Sequence, residues 1–169
     1  MEEAVKISEV KIPRCLNGRR GSDTTFHVFS DASAVAFGAV VYIREVREGV
    51  VETNFIAAKS KVAPIKTVSI PRLELLGACV GVKLMKKITQ GLEIKVEEII
   101  YWSDSKDVLY WIKQQSRLYK PFVANRVGSI QELTLPKQWR YVPTKLNPAD
   151  LLSRGISAKE CVESKLWWQ

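Results

Sequence analysis

Four carboxylates stand out by their surroundings. Asp31 ends the run Phe26-His27-Val28-Phe29-Ser30-Asp31, Glu74 is the only charged residue from Leu73 to Val82, Asp104 closes the apolar stretch that begins at Ile99, and Asp150 opens the last helical signal. Acids on four separate segments of a basic chain offer hard oxygen donors of the kind that hold Mg²⁺-class cations, and such cations assist displacement at phosphorus. Each acid also has a plainer explanation. Asp31 is a carboxylate at a strand end, and Glu74 suits the first turn of a helix, where the dipole favours an anion. Asp104 could cap the helix that follows, and Asp150 could complete a capping box with Asn147 as cap and Pro148 at the first helical position.

The elements that must position these acids can be read from periodicity. Residues 26–31, 35–42 and 50–58 read as three short strands, with a turn at the charged Arg44 to Gly49, and short connections favour an antiparallel meander. Ser69-Ile70-Pro71 announces a helix that Gly91 ends. On the face of Glu74 lie Gly77, Ala78 and Gly81, so the helix can approach the sheet closely and press Glu74 towards Asp31. Glu98 to Ser103 reads as a buried strand that completes a parallel crossover, and in such sheets sites lie at the carboxyl ends of strands, where Asp104 falls. Helices follow from Asp104-Ser105 and over Pro121 to Leu133, then a strand at 139–142 and a short helix after Pro148. Residues 1–25 read as a tether or the remnant of a preceding domain.

Composition narrows the class of partner. A chain of 169 residues, 46% hydrophobic, is sized for one domain with a real core. Lys and Arg number 26 against 18 acids, a net charge of +8 that favours a polyanion such as nucleic acid. The run Lys113 to Lys120, with Tyr119 inside it, is either part of that contact or only a solvated face. Cys15, Cys79 and Cys161 form no Cys-x-x-Cys pair and His27 is the sole histidine, so neither a disulfide framework nor a zinc site is indicated. No apolar run approaches the ~20 residues of a membrane span, and the acidic Met1-Glu2-Glu3 is unlike a secretory leader, which together predict an intracellular protein without a membrane partner.

Taken together, the motifs Phe29-Ser30-Asp31-Ala32-Ser33 with Phe37-Gly38-Ala39, Ile70-Pro71-Arg72-Leu73-Glu74-Leu75, Tyr101-Trp102-Ser103-Asp104-Ser105 and Asn147-Pro148-Ala149-Asp150-Leu151-Leu152-Ser153-Arg154-Gly155 resemble the ribonuclease H domain of LTR retrotransposon polyproteins, closest in flavour to the BEL/Pao group. The resemblance covers about residues 26–155. Lys6 to Cys15 is similar to the tail of a preceding reverse transcriptase region, and the stretch 156–169, with Leu166-Trp167-Trp168, to the tail leading towards integrase.

The resemblance implies an α/β ribonuclease H-like fold, a five-stranded mixed sheet flanked by helices. It also implies hydrolysis of the RNA strand of an RNA:DNA hybrid with two Mg²⁺ ions, or Mn²⁺ in their place. Carried over by motif, Asp31 bridges both ions, Glu74 and Asp104 complete one site and Asp150 the other. Backbone groups around Ala32 and Ser33, together with Ser105 and the Glu74 turn, become candidates for 2′-hydroxyl contacts, and Lys59, Lys61, Arg117, Lys120 and Arg154 for phosphates. The implied partners are the hybrid and a reverse transcriptase polymerase domain in the parent polyprotein, and the implied place a cytoplasmic retrotransposon particle. One departure is informative: many cellular members carry a histidine in the loop before the last acid, whereas residues 143–149 contain none, leaving Lys145 or a water as the substitute. A catalytically silent, nucleic-acid-binding domain is the main alternative, and a DNA strand-transfer relative is disfavoured by the Glu-bearing first helix.

Overall fold

A hairpin organises the first half of the computed structural model, which describes residues 23–91 and 98–168. β1 (Asp23–Ala32), β2 (Ala36–Arg47) and β3 (Val50–Val62) form an antiparallel meander. Glu48 (φ 48°) and Gly49 (φ 82°) supply the two positive-φ residues of a tight I′-type turn, so the charged residues before them stay in the ladder. That is why β2 runs past its expected end at 42, while β3 runs past 58 because its residues to Val62 pair with β2 back to Ala36. The readings placed on residues 1–22, the tether and the reverse transcriptase-like tail, lie outside the described residues.

After the meander come α1 (Ile70–Gly91), β4 (Glu98–Ser103), α2 (Lys106–Lys113), α3 (Pro121–Gln131), β5 (Trp139–Tyr141), α4 (Ala149–Arg154), α5 (Ala158–Glu163) and α6 (Lys165–Trp168). The strand order is β3-β2-β1-β4-β5, with β1–β4 and β4–β5 parallel. This is the expected five-stranded mixed sheet with helices about it.

Each face of the sheet has its own cluster. Alternation along β1 sends Phe26 and Val28 into the larger core, which gathers Leu75 and Met85 of α1, Val108 and Ile112 of α2, and Val127 and Ile130 of α3. Leu75 and Ile112 are fully enclosed, and truncating either to Ala should cost about 2–5 kcal/mol. On the opposite face Val40 and Tyr42 of β2 pack with Ala149 and Trp167, flanked by Phe29 and Phe55. The last residues hold this second layer: Tyr42 Oη donates to the Trp167 carbonyl at 2.8 Å, and Phe55 meets the rings of Trp167 and Trp168, both at 5.7 Å.

Candidate active site

Parallel pairing of β1 with β4 sets Ser30 opposite Ser103, so the next residues, Asp31 still in β1 and Asp104 just past the end of β4, stand at the same end of the sheet. α1 brings the third acid. A Cβ at Gly77 would lie 2.7 Å from the Asp31 carbonyl oxygen and 3.2 Å from that of Gly38, so the helix rests on the strands at a separation only glycine permits. Glu74 stands three residues earlier, about one turn nearer the strand ends. The first turn of α1 holds no acid, and Glu74 lies beyond the reach that a dipole explanation requires.

Asp104 does not cap α2. Ser105 does, its Oγ accepting from Val108 N at 3.3 Å, while its own N–H donates to Ser103 Oγ at 3.2 Å. Asp104 Oδ1 instead accepts from Asn147 Nδ2 at 3.3 Å. Asn147 is fully buried, and the same amide donates to the Ser30 carbonyl at 3.1 Å, while its Oδ1 accepts from Ala149 N at 3.2 Å. Asn147 is extended and Pro148 already helical, so Asn147 caps α4 as expected. The expected capping box does not form. Asp150 faces forward, its Oδ1 accepting from Arg154 Nε at 2.7 Å, because Asn147 has no free backbone donor for it: that N–H is held by the Thr144 carbonyl.

Asp31 is 5% exposed and accepts from the buried Ser153 Oγ of α4. Ser33 Oγ donates in turn to the Ser153 carbonyl at 2.6 Å, tying the β1–β2 turn to the last helix of the site. Burial raises the Asp31 carboxyl to about 6; the Ser153 hydroxyl opposes the shift, and the charges of Asp104 and Asp150 reinforce it. Burial likewise lifts Glu74 to about 7, the Ser105 hydroxyl opposing, with Asp104, Asp31 and Asp107 adding to the rise. Asp31 feels Asp104 and Asp150, and Glu74 feels Asp104 and Asp31, so the four acids share one electrostatic neighbourhood; Asp150 alone keeps a local explanation, in the first turn of α4 and paired with Arg154.

Among the described residues no three His, Cys, Asp or Glu side chains close around a common point as a metal cage. The donor set is an open array of carboxylates, and in two of them, Asp31 and Glu74, ionisation is held back by burial and by neighbouring charges. Such an array fits hard cations that keep water and substrate oxygens in their shells, and a bound cation would relieve the repulsion.

The remaining candidates are dispersed. Ser33 N–H donates to the Ala36 carbonyl at 2.8 Å and Ala32 is buried in the strand pairing, so these positions are engaged within the fold. Arg117 and Lys120 lie exposed between α2 and α3, and Arg154 is paired with Asp150. Lys59 and Lys61 are exposed on β3.

A model of the Pao retrotransposon-like RNaseH-like domain family matches residues 1–105. The chain belongs to this family. The match takes in Asp31, Glu74 and Asp104; Asp150 lies beyond it. Among solved structures, the N-terminal RNase H domain of rv2228c from Mycobacterium tuberculosis, fused to maltose binding protein, is similar at 16% identity and a TM-score of 0.52, covering 83% of this chain and 96% of that one. LC11-RNase H1, solved in complex with an RNA/DNA hybrid, is similar at 12% identity and a TM-score of 0.50, covering 76% of this chain and 92% of that one. At these identities they show the fold, a ribonuclease H fold. No curated protein matches.

In this Pao-family domain two supporting residues escaped the sequence reading as parts of the site. Asn147 was expected only to cap a helix and Ser153 entered only as part of the last motif, yet one holds Asp104 and the other Asp31. The available signal was spacing: they stand three residues before and three after Asp150.

Proposed function

We propose that the domain hydrolyses the RNA strand of RNA:DNA hybrids, with Asp31, Glu74, Asp104 and Asp150 holding two divalent cations, Mg²⁺ or Mn²⁺. The observation that supports this most is the shared electrostatic neighbourhood of acids from β1, α1, β4 and α4, two of them shifted towards neutrality by burial. When bound, such ions supply a water nucleophile acidic enough to ionise near neutral pH and neutralise charge on the phosphate and its leaving oxygen.

The chain's own groups prepare that chemistry. Asn147 fixes the Asp104 carboxylate against the end of β1, and Ser153 fixes the buried oxygen of Asp31, so neither acid must reorganise when the phosphate arrives. Arg154 gives Asp150 a counter-charge from the solvent side. The net charge of +8 favours the polyanionic substrate. In a retrotransposon polyprotein the domain would work beside a reverse transcriptase polymerase domain, in the cytoplasmic particle; among the described residues no helix is long and apolar enough to cross a membrane.

The test is a labelled RNA:DNA hybrid, duplex DNA and duplex RNA incubated with Mg²⁺ and with chelator. Cutting confined to the RNA of the hybrid, leaving 3′ hydroxyl and 5′ phosphate ends and stopped by chelator, is expected. Cleavage that persists in chelator, or equal cleavage of single-stranded RNA, would sink the proposal, and tight hybrid binding with no cutting would establish the silent alternative.

A further inference from the structure

On the side of the sheet that carries α1, Lys59 and Lys61 alternate along β3 and share a face, while Lys83 and Lys87 stand one turn apart on α1. The four line one cleft with Val80 and Leu84, and no acid lines it. All four are exposed, and among the described residues none of their ammonium groups has an ion-pair or hydrogen-bond partner. Four ammonium groups on one rim repel one another, so this concentration of charge costs stability and is compensated only from outside the described fold.

The shape of the cleft restricts what it can take. Its volume is about 70 Å³, too small to enclose an organic ligand, so an anion must lie across the rim. Two residues of strand and four of helix both advance roughly 6–7 Å, giving two short rows of evenly spaced positive charge. Repeated charge of that kind suits a linear polyanion better than a single phosphate or a flat lipid surface. Val80 is buried and Leu84 half-buried, so the cleft has no apolar side chain projecting for a bilayer.

Its position relates it to the acids. Register places Asp31 opposite Gly38 and Gly38 opposite Ser60, so Lys59 and Lys61 flank the row that contains Asp31, two strand spacings away or about 10 Å. Lys87 lies thirteen residues beyond Glu74 in α1, about 20 Å along the helix. The basic rim lies on the α1 side of the sheet, two strands across from the end of β1, while the Asp31 carboxylate is turned to the opposite side towards Ser153, and the rim leads away from the strand ends.

We propose that this cleft is a second, sequence-independent contact strip that holds the sugar–phosphate backbone of the nucleic acid beyond the cleavage position. The inference rests on the hybrid-binding reading above and adds Lys83 and Lys87 to it.

The test measures binding in chelator of a short hybrid that spans only the acids and of one extended by two helical turns, across a salt series, for wild type and K59Q/K61Q/K83Q/K87Q. The variant should bind the long hybrid about tenfold or more weakly at low salt, and its salt slope should shrink by about two or more, at roughly 0.9 per phosphate contact. For K83Q/K87Q, binding and Mg²⁺-dependent cutting of the short hybrid should stay within about twofold. Should the quadruple variant melt early, K59Q/K61Q and K83Q/K87Q separately should each remove about half the slope change. A long-hybrid slope equal to wild type overturns the inference, as does an equal loss on both lengths or a loss per charge no greater than that of K137Q/K159Q/K165Q. Lysine-dependent binding to phosphatidylserine vesicles with the long-hybrid slope unchanged assigns the cleft to a lipid surface and also overturns it. Short-hybrid cutting with no slope change rejects the strip alone; long-hybrid binding that needs the lysines, without any cutting, rejects the nuclease reading alone.

Discussion

The side-chain amide of Asn147 joins the carboxylate of Asp104, at 3.3 Å, to the backbone end of β1 at Ser30, at 3.1 Å, from a position with no solvent exposure. One group thus fixes the spacing of two strand ends and a helix start. Removing a buried donor leaves its acceptors unsatisfied, which costs about 1–3 kcal/mol. Asn147→Ala should destabilise by that amount and lower hybrid cleavage about 10–100-fold, the range for partners that orient metal ligands. Melting curves and single-turnover rates check it, with hybrid affinity in chelator expected to stay near wild type. A variant that melts like wild type and cleaves normally would show that Asp104 needs no such partner.

Asp104→Asn keeps the acceptor that Asn147 uses and removes a charge from the shared neighbourhood. Hydrolysis should be lost while the metal-free protein melts higher, by about 2–4 °C for each 1 kcal/mol of repulsion relieved. Saturating Mg²⁺ should stabilise wild type, by about 2.7 kcal/mol at a hundredfold excess over its dissociation constant, and the variant less. Because Ser105 caps α2, a loss of capping cannot mask the result. A wild type indifferent to Mg²⁺ and a variant no more stable in chelator would dissolve the four-acid cluster.

The raised carboxyls fix a direction for the pH dependence of stability. Asp31 moves from 3.8 to about 6 and Glu74 from 4.5 to about 7 on folding. Below about pH 3 both are almost wholly protonated whether folded or not and contribute nothing. As pH rises the unfolded chain loses these protons first, so metal-free stability should fall between about pH 4 and 7, by on the order of 1–3 kcal/mol, and stay lower above. Urea melts across this window in chelator and in Mg²⁺ provide the check, the cation flattening the decline. Stability that climbs through the window without metal would contradict it.

Gly77→Ala should push α1 away from Asp31. An added methyl 2.7 Å from a strand carbonyl must displace the helix that carries Glu74, at a cost of about 1–3 kcal/mol and with reduced cleavage. Gly128→Ala is the internal control: its Cβ would meet Ser116 at an ordinary 3.7 Å, so the higher helix propensity of Ala should leave α3 as stable or slightly more so. Equal behaviour of the two variants in melting and cleavage assays would remove close packing from the account of Glu74.

Elements with a strong local period were legible in the chain. Ser69-Ile70-Pro71 and Gly91 bracket α1, the apolar run at 99–102 marks β4, and the small residues facing the sheet foretold the close approach that Gly77 makes. Local signals failed where two readings shared the same residues. Asp104 and Ser105 both suit a cap, and the serine takes it because Asp104 is turned to Asn147. The strands outran their expected ends because β3 pairs its whole length with β2, a tertiary fact that charge near the turn concealed. Ser153 and Asn147 meet their partners across 122 and 117 residues of sequence, and no helical or strand period encodes a contact of that separation.

The second face of the sheet has a history in time as well as a place in space. Phe55 of β3 waits for Trp167, 112 residues later, and at translation rates of about 5–20 residues per second the interval lasts roughly 6–22 s. Throughout it β2 and β3 can pair while Tyr42 and Phe55 remain uncovered. The nascent domain therefore passes through a stage with an aromatic sheet face open to chaperones or to a neighbouring nascent chain, and a ribosome stalled near Gly155 would hold it there, the site acids already made and their supporting layer unfinished.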